Sequence, residues 1–131
     1  MILVELPPAT MLFRAHTPCW ASQPLSGAGA ALRGGRFNRE GMSALYLSLD
    51  ELTAWREDWR HLRFEQHIEP PTWVLADLVR AHGHCGILFP SQVQPGGTNV
   101  VLYPDLLVEN QSLRVLDPDG QLPRDQSSWT S

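Results

Sequence analysis

Lysine is missing from this chain: the ten basic residues among its 131 are all arginine. Without lysine there is no Gly-x-x-x-x-Gly-Lys-Ser/Thr loop, and so no nucleotide site of the P-loop kind. Long apolar runs are missing as well. No stretch approaches the roughly 18 uninterrupted apolar residues that a membrane helix needs. The start, Met1-Ile2-Leu3-Val4-Glu5-Leu6-Pro7-Pro8, has neither the basic region nor the apolar length of a secretory signal. The expected compartment is therefore the cytoplasm. Positive charge is not in excess either. A net charge of −4 with scattered arginines argues against a nucleic-acid surface, which needs a basic patch to displace counterions. Two or three well-placed arginines still suffice to hold the phosphates of a small anionic molecule.

Cysteine is scarce. Cys19 and Cys85 are able to pair, but a cytoplasmic setting reads them as reduced. His82-Gly83-His84-Cys85 has the residue types of a metal site. It lacks the second, separated ligand pair that zinc sites draw on, so it reads as a histidine-bearing turn entering a strand, and no metal is expected. Two further motifs are absent. Gly27-x-Gly29 has no third glycine at the right place and no strand leading into it, so it is not the usual dinucleotide fingerprint. Gly-x-Ser-x-Gly does not occur, which removes the common serine-hydrolase arrangement.

What is present fits one soluble domain over residues 1–131, with a polar, proline-containing tail from 117 to 131. Met11-Leu12-Phe13-Arg14 reads as a short strand. Residues 22–41 are rich in Gly, Ala and Ser and read as a loop that must approach a ligand closely, because Arg36-Phe37 inside it has no use in a linker. Ser43 to Leu49 alternates as a strand does. Asp50 then caps a helix predicted over 51–64, whose Leu52, Trp55, Trp59 and Leu62 form an apolar stripe of helical period. Trp73 to Val79 suits either a strand or a short helix. Gly86–Pro90 and Asn99–Tyr103 read as strands with the Pro95-Gly96-Gly97 turn between them, and Leu113–Leu116 as one more. Strands and helices alternate too irregularly for a doubly wound sheet, so the predicted class is α+β.

Five polar residues then stand at unusual places: Arg14 ends an apolar strand, Arg36 lies in the glycine-rich loop, Tyr46 is mid-strand, Glu57 is on the helix, and Ser91 follows a strand. Each has an ordinary explanation. The arginines suit structural ion pairs, Tyr46 a core position with a satisfied hydroxyl, and Ser91 a turn. Glu57 lies roughly opposite the tryptophan stripe, which periodicity alone assigns to solvent.

In order, however, these residues resemble the RES-domain family, named for an arginine, a glutamate and a serine. Phe13-Arg14 is similar to its aromatic–arginine pair. Leu25-Ser26-Gly27-x-Gly29 followed by Gly34-Gly35-Arg36-Phe37-Asn38-x-x-Gly41 is similar to its Gly-Arg-Trp-Asn loop, with Phe for Trp. Tyr46 and Ala54-x-x-Glu57 resemble its strand-to-helix segment, and Gly86–Ser91 with Asn99–Tyr103 its closing strands. The likeness covers most of residues 12–105. It departs between Leu78 and Arg80, where the family usually carries a longer, helix-containing segment.

The resemblance implies a fold like that of the ADP-ribosyltransferases, with a small mixed or split sheet and flanking helices. It implies the toxin of a bacterial toxin–antitoxin system that cleaves the nicotinamide–ribose bond of NAD, as a glycohydrolase or phosphorylase. NAD is then substrate, with Glu57 and Arg14 in the catalytic role and Arg14, Arg36, Tyr46 and Ser91 in binding. The implied partner is an antitoxin with a helix-turn-helix DNA-binding part. Two other outcomes are a mono-ADP-ribosyltransferase acting on a protein and an inactive module that keeps only NAD or antitoxin binding.

Overall fold

A computed structural model describes residues 3–14, 25–57, 71–108 and 111–114. Cys19, Trp59, Leu62 and the tail from 117 lie outside the described residues. Three strands, β1 (Leu45–Ser48), β2 (Gly86–Pro90) and β3 (Thr98–Leu102), form a sheet of order β1-β3-β2 in which both ladders are antiparallel. Three helices, α1 (Ala28–Arg33), α2 (Glu51–Arg56) and α3 (Pro71–Ala81), accompany it. The class is α+β, as predicted.

Side chains alternate between the faces of a strand, so the register sorts the sheet into two sides. Tyr46, Ser48, Ile87, Phe89, Asn99 and Val101 share one face, and Leu45, Leu47, Leu88, Val100 and Leu102 the other. The first face meets Ala76 and Val79 of α3 together with Phe37. The second is covered in part by Leu12 and Leu113. One row crosses the first face, because Ser48 pairs with Asn99 and Asn99 with Phe89. Two of its three residues are polar and buried.

The structure revises several sequence-based expectations. The glycine-rich stretch is not one continuous loop, since it holds α1, whose leading Gly27 lies directly over the Ala44 backbone. Of the two readings open for 73–79 the structure takes the helix, which belongs to α3. Its end explains His82-Gly83-His84: Gly83 has φ +80°, its N–H donates to Arg80 O and the N–H of His84 to Val79 O, a Schellman cap. Phe13 makes a single antiparallel bridge to Ser48 and no longer strand, and residues 111–114 form none.

The largest revision concerns α2. Asp50 caps it as expected, accepting from the Thr53 N–H at 2.8 Å, but Glu57 is its C-cap with extended backbone. The buried side is Thr53, Ala54 and Glu57, while Leu52 and Trp55 are exposed. The helix lies on β1 and meets the loop between β2 and β3 at Gly97. A Cβ there would lie 2.4 Å from Thr53 Oγ1. An approach this close admits small side chains only, so Leu52 and Trp55 turn outward.

Candidate active site

Residues 34–38 form a clamped turn. Gly35 N–H donates to Asn38 O at 2.9 Å. The carbonyls of Gly35, Arg36 and Phe37 accept in turn from Trp73 Nε1 (2.5 Å), the Thr72 hydroxyl, and the Tyr103 hydroxyl (2.7 Å). Tyr46 closes the turn from below. Its hydroxyl accepts from the Phe37 N–H at 2.9 Å and donates to Asn38 Oδ1 at 2.6 Å. Asn38, fully buried, gives its amide to the carbonyls of Ala30, Arg39 and Met42. Gly35 is required because a Cβ would meet Asn38 Oδ1 and the Tyr46 hydroxyl at 2.7 Å each. Burial pushes the pKa values of the Tyr46 and Tyr103 hydroxyls upward, so both stay protonated as donors.

A rigid turn presents its side chain without further ordering cost, and the one presented is Arg36. Its guanidinium lies 5.1 Å from the centroid of the Phe37 ring and 5.3 Å from that of Phe89. Among the described residues no carboxylate pairs with it. Arg39 and Arg80, by contrast, are paired with Asp77 and Asp105. A cation braced on two aromatic faces and paired with no described carboxylate suits an anionic ligand.

The second cluster surrounds Glu57, which is 8% exposed. Ser91 Oγ donates to its Oε1 at 2.5 Å and Asn99 Nδ2 to the same oxygen at 2.6 Å. Ser91 Oγ also accepts from the N–H groups of Gln94 (3.0 Å) and Val93 (3.2 Å). With its proton and both lone pairs engaged, this hydroxyl is suited to hold the carboxylate and unsuited to attack. Glu57 Oε2 makes no hydrogen bond to a described residue. Asn99 in turn accepts the Ser48 hydroxyl at Oδ1, 2.7 Å away.

Of the five residues singled out in the sequence, Glu57 and Ser91 touch directly. Arg36 reaches the same sheet row through Phe89, whose register partner is Asn99. Tyr46 stands beneath the Arg36 turn, its hydroxyl engaged by it. Arg14, half-buried, donates to Ser26 O at 3.4 Å before α1, and burial lowers its pKa. Sequence reasoning passed over Asn99, Ser48, Thr72 and Trp73. A signal existed for the first, since an asparagine opening Asn-Val-Val-Leu is a polar residue inside an apolar strand. Among the described residues no three His, Cys, Asp or Glu side chains gather as metal ligands, and no helix is long and apolar enough to cross a membrane.

A family model described as the RES domain matches residues 11–70 and 58–125, most of the chain. Neither the curated proteins nor the solved structures give a match.

Proposed function

The chain belongs to the RES-domain family, and on that footing we propose that it breaks the nicotinamide–ribose bond of NAD and so depletes the dinucleotide. The observation that carries this reading is Glu57: a buried carboxylate, tethered through one oxygen by Ser91 and Asn99, with no hydrogen bond from a described residue to the other oxygen. When the glycosidic bond breaks, its electron pair leaves with the nicotinamide nitrogen and positive charge develops on the ribose. A preorganised carboxylate stabilises that charge or orients the ribose hydroxyls. Water or phosphate then adds at the same carbon and releases a proton.

Arg36 suits the pyrophosphate, because a guanidinium fork matches phosphate oxygens in pairs. Arg14 is assigned a supporting contact to the same ligand. We assign Tyr46 to shaping the turn that carries Arg36, and Ser91 to holding Glu57. An enzyme that consumes NAD harms its own host unless neutralised. We therefore expect an antitoxin whose DNA-binding part is a helix-turn-helix and whose remainder covers the region of Arg36 and Glu57.

The test is to incubate the purified protein with NAD, with and without phosphate, and measure free nicotinamide and the ribosyl product. Nicotinamide with ADP-ribose, or with its phosphorolysis product, supports the reading. ADP-ribose on a protein in a cell extract transfers it to a mono-ADP-ribosyltransferase. No nicotinamide under any condition leaves a binding module.

A further inference from the structure

Asn99 carries an inference that rests on the reading of Glu57 as the catalytic carboxylate. It is 1% exposed and lies on the central strand, flanked by Ser48 on one neighbour and Phe89 on the other. Its two amide ends are used in opposite senses: Oδ1 accepts the Ser48 hydroxyl, and Nδ2 donates to Glu57 Oε1. An ionised carboxylate only accepts. Turning the amide over would set its carbonyl oxygen against Glu57, so the orientation is fixed from both sides. We propose that Asn99, anchored by Ser48, is a positioning residue that fixes the Glu57 carboxylate to the sheet and sets its place relative to Arg36.

Ser91 and Asn99 do different work. Ser91 stands on the half-exposed loop after β2 and holds Oε1 from the loop side. Asn99 belongs to the central strand, paired on both sides, and its register partner Phe89 is the ring that supports the Arg36 guanidinium. One residue therefore shares a strand pair with the support of the cation and a hydrogen bond with the carboxylate. Adjacent strands stand about 4.8 Å apart, which gives the two groups a fixed separation that no loop supplies. Two donors on Oε1 also fix the plane of the carboxylate, and with it the direction of Oε2.

The test compares Asn99→Ala and Ser48→Ala, each in the native chain and in the Glu57→Gln background, with folding followed by circular dichroism and thermal unfolding. The wild type is first shown to release nicotinamide from NAD. Asn99→Ala is expected to lower kcat about tenfold to a hundredfold, as losses of outer supporting groups do, with KM within about twofold. Ser48→Ala leaves Asn99 in place but frees its amide, so it moves kcat in the same direction and less far, and it serves if Asn99→Ala does not fold. In the Glu57→Gln background neither substitution should lower the residual rate further, because Asn99 acts through that carboxylate. A folded Asn99→Ala or Ser48→Ala enzyme with native kcat overturns the inference while leaving the reading of Glu57 intact. So does a loss of the same size in the Glu57→Gln background. Absence of nicotinamide from the wild type overturns both.

Discussion

A carboxylate taken out of water loses several kcal/mol of hydration unless donors replace the solvent. Glu57 receives two donors on one oxygen, whereas neighbouring Asp50 uses both of its oxygens to cap α2 through Thr53. That contrast favours Glu57 over Asp50 as the acid of the proposed reaction. On the proposed function, Glu57→Gln keeps the shape and loses the charge that matters only as nicotinamide leaves. Steady-state kinetics should show kcat falling about 10²-fold or more with KM little changed. Native kcat in a folded variant would rule out Glu57. In the proposed role on pyrophosphate, Arg36→Ala removes charge-assisted bonds common to ground and transition states, so it should raise KM by roughly 1.5–3 kcal/mol of lost binding; an unaltered KM would remove Arg36 from the binding site. At this scale the sequence was partly legible. The ordered series pointed to Glu57 and Ser91, but helical periodicity sent Glu57 to solvent. It counted Leu52 and Trp55 as the inner face, and the close approach of Gly97 to Thr53 is invisible in one dimension.

The Gly34–Asn38 turn is held by donors from β1, α3 and the residue after β3, so its rigidity is a property of the assembled elements. Tyr46→Phe removes one acceptor and one donor and leaves the buried Phe37 N–H and Asn38 Oδ1 short of a partner. The loss expected is about 1–3 kcal/mol in denaturant unfolding; a change below a few tenths would mean that the turn is held elsewhere. Gly97→Ala tests the junction of α2 with the loop after β2. The added methyl meets Thr53 at contact distance too short for any side chain, so the variant should lose about 1–3 kcal/mol and loosen Ser91 from Glu57. Thr53→Ala in the same chain should recover part of the stability by vacating that space, and no recovery would place the strain elsewhere. β1 was readable from its alternation, β2 and β3 as apolar runs on either side of the Pro95-Gly96-Gly97 turn, and the Asp50 cap from its position before a helical pattern. The helix inside the glycine-rich stretch was not, because α1 owes its place to Gly27 pressing on the Ala44 backbone, a tertiary contact that composition does not encode.

For the whole molecule, pH provides a handle. The chain has two tyrosines, Tyr46 and Tyr103, and both hydroxyls have raised pKa values through burial. A group held protonated by the fold contributes stability that is present below its unfolded value of about 10 and is lost as pH rises beyond it. The loss amounts to about 1.4 kcal/mol per pH unit for each tyrosine. Tyrosinate absorbance should therefore appear together with unfolding. A tyrosine that ionises near its ordinary value in the folded protein would contradict the clamped turn. At the acid end, Asp50, Asp77 and Asp105 have lowered pKa values, first through hydrogen bonds from Thr53, Arg39 and Arg80 respectively. Their contribution is present above about pH 4 and is lost as pH falls, modestly, since these groups face solvent. The central position of β3 has a consequence in time. It is the last of the three strands to be synthesised, and β1 and β2 each find their strand partner in it. Ser48 waits 51 residues for Asn99, a long-range closure of the kind that slows folding. A nascent chain carrying Arg36 and Glu57 has no row on which to assemble them until β3 leaves the ribosome, so turnover of the kind proposed can begin only when synthesis has passed Leu102.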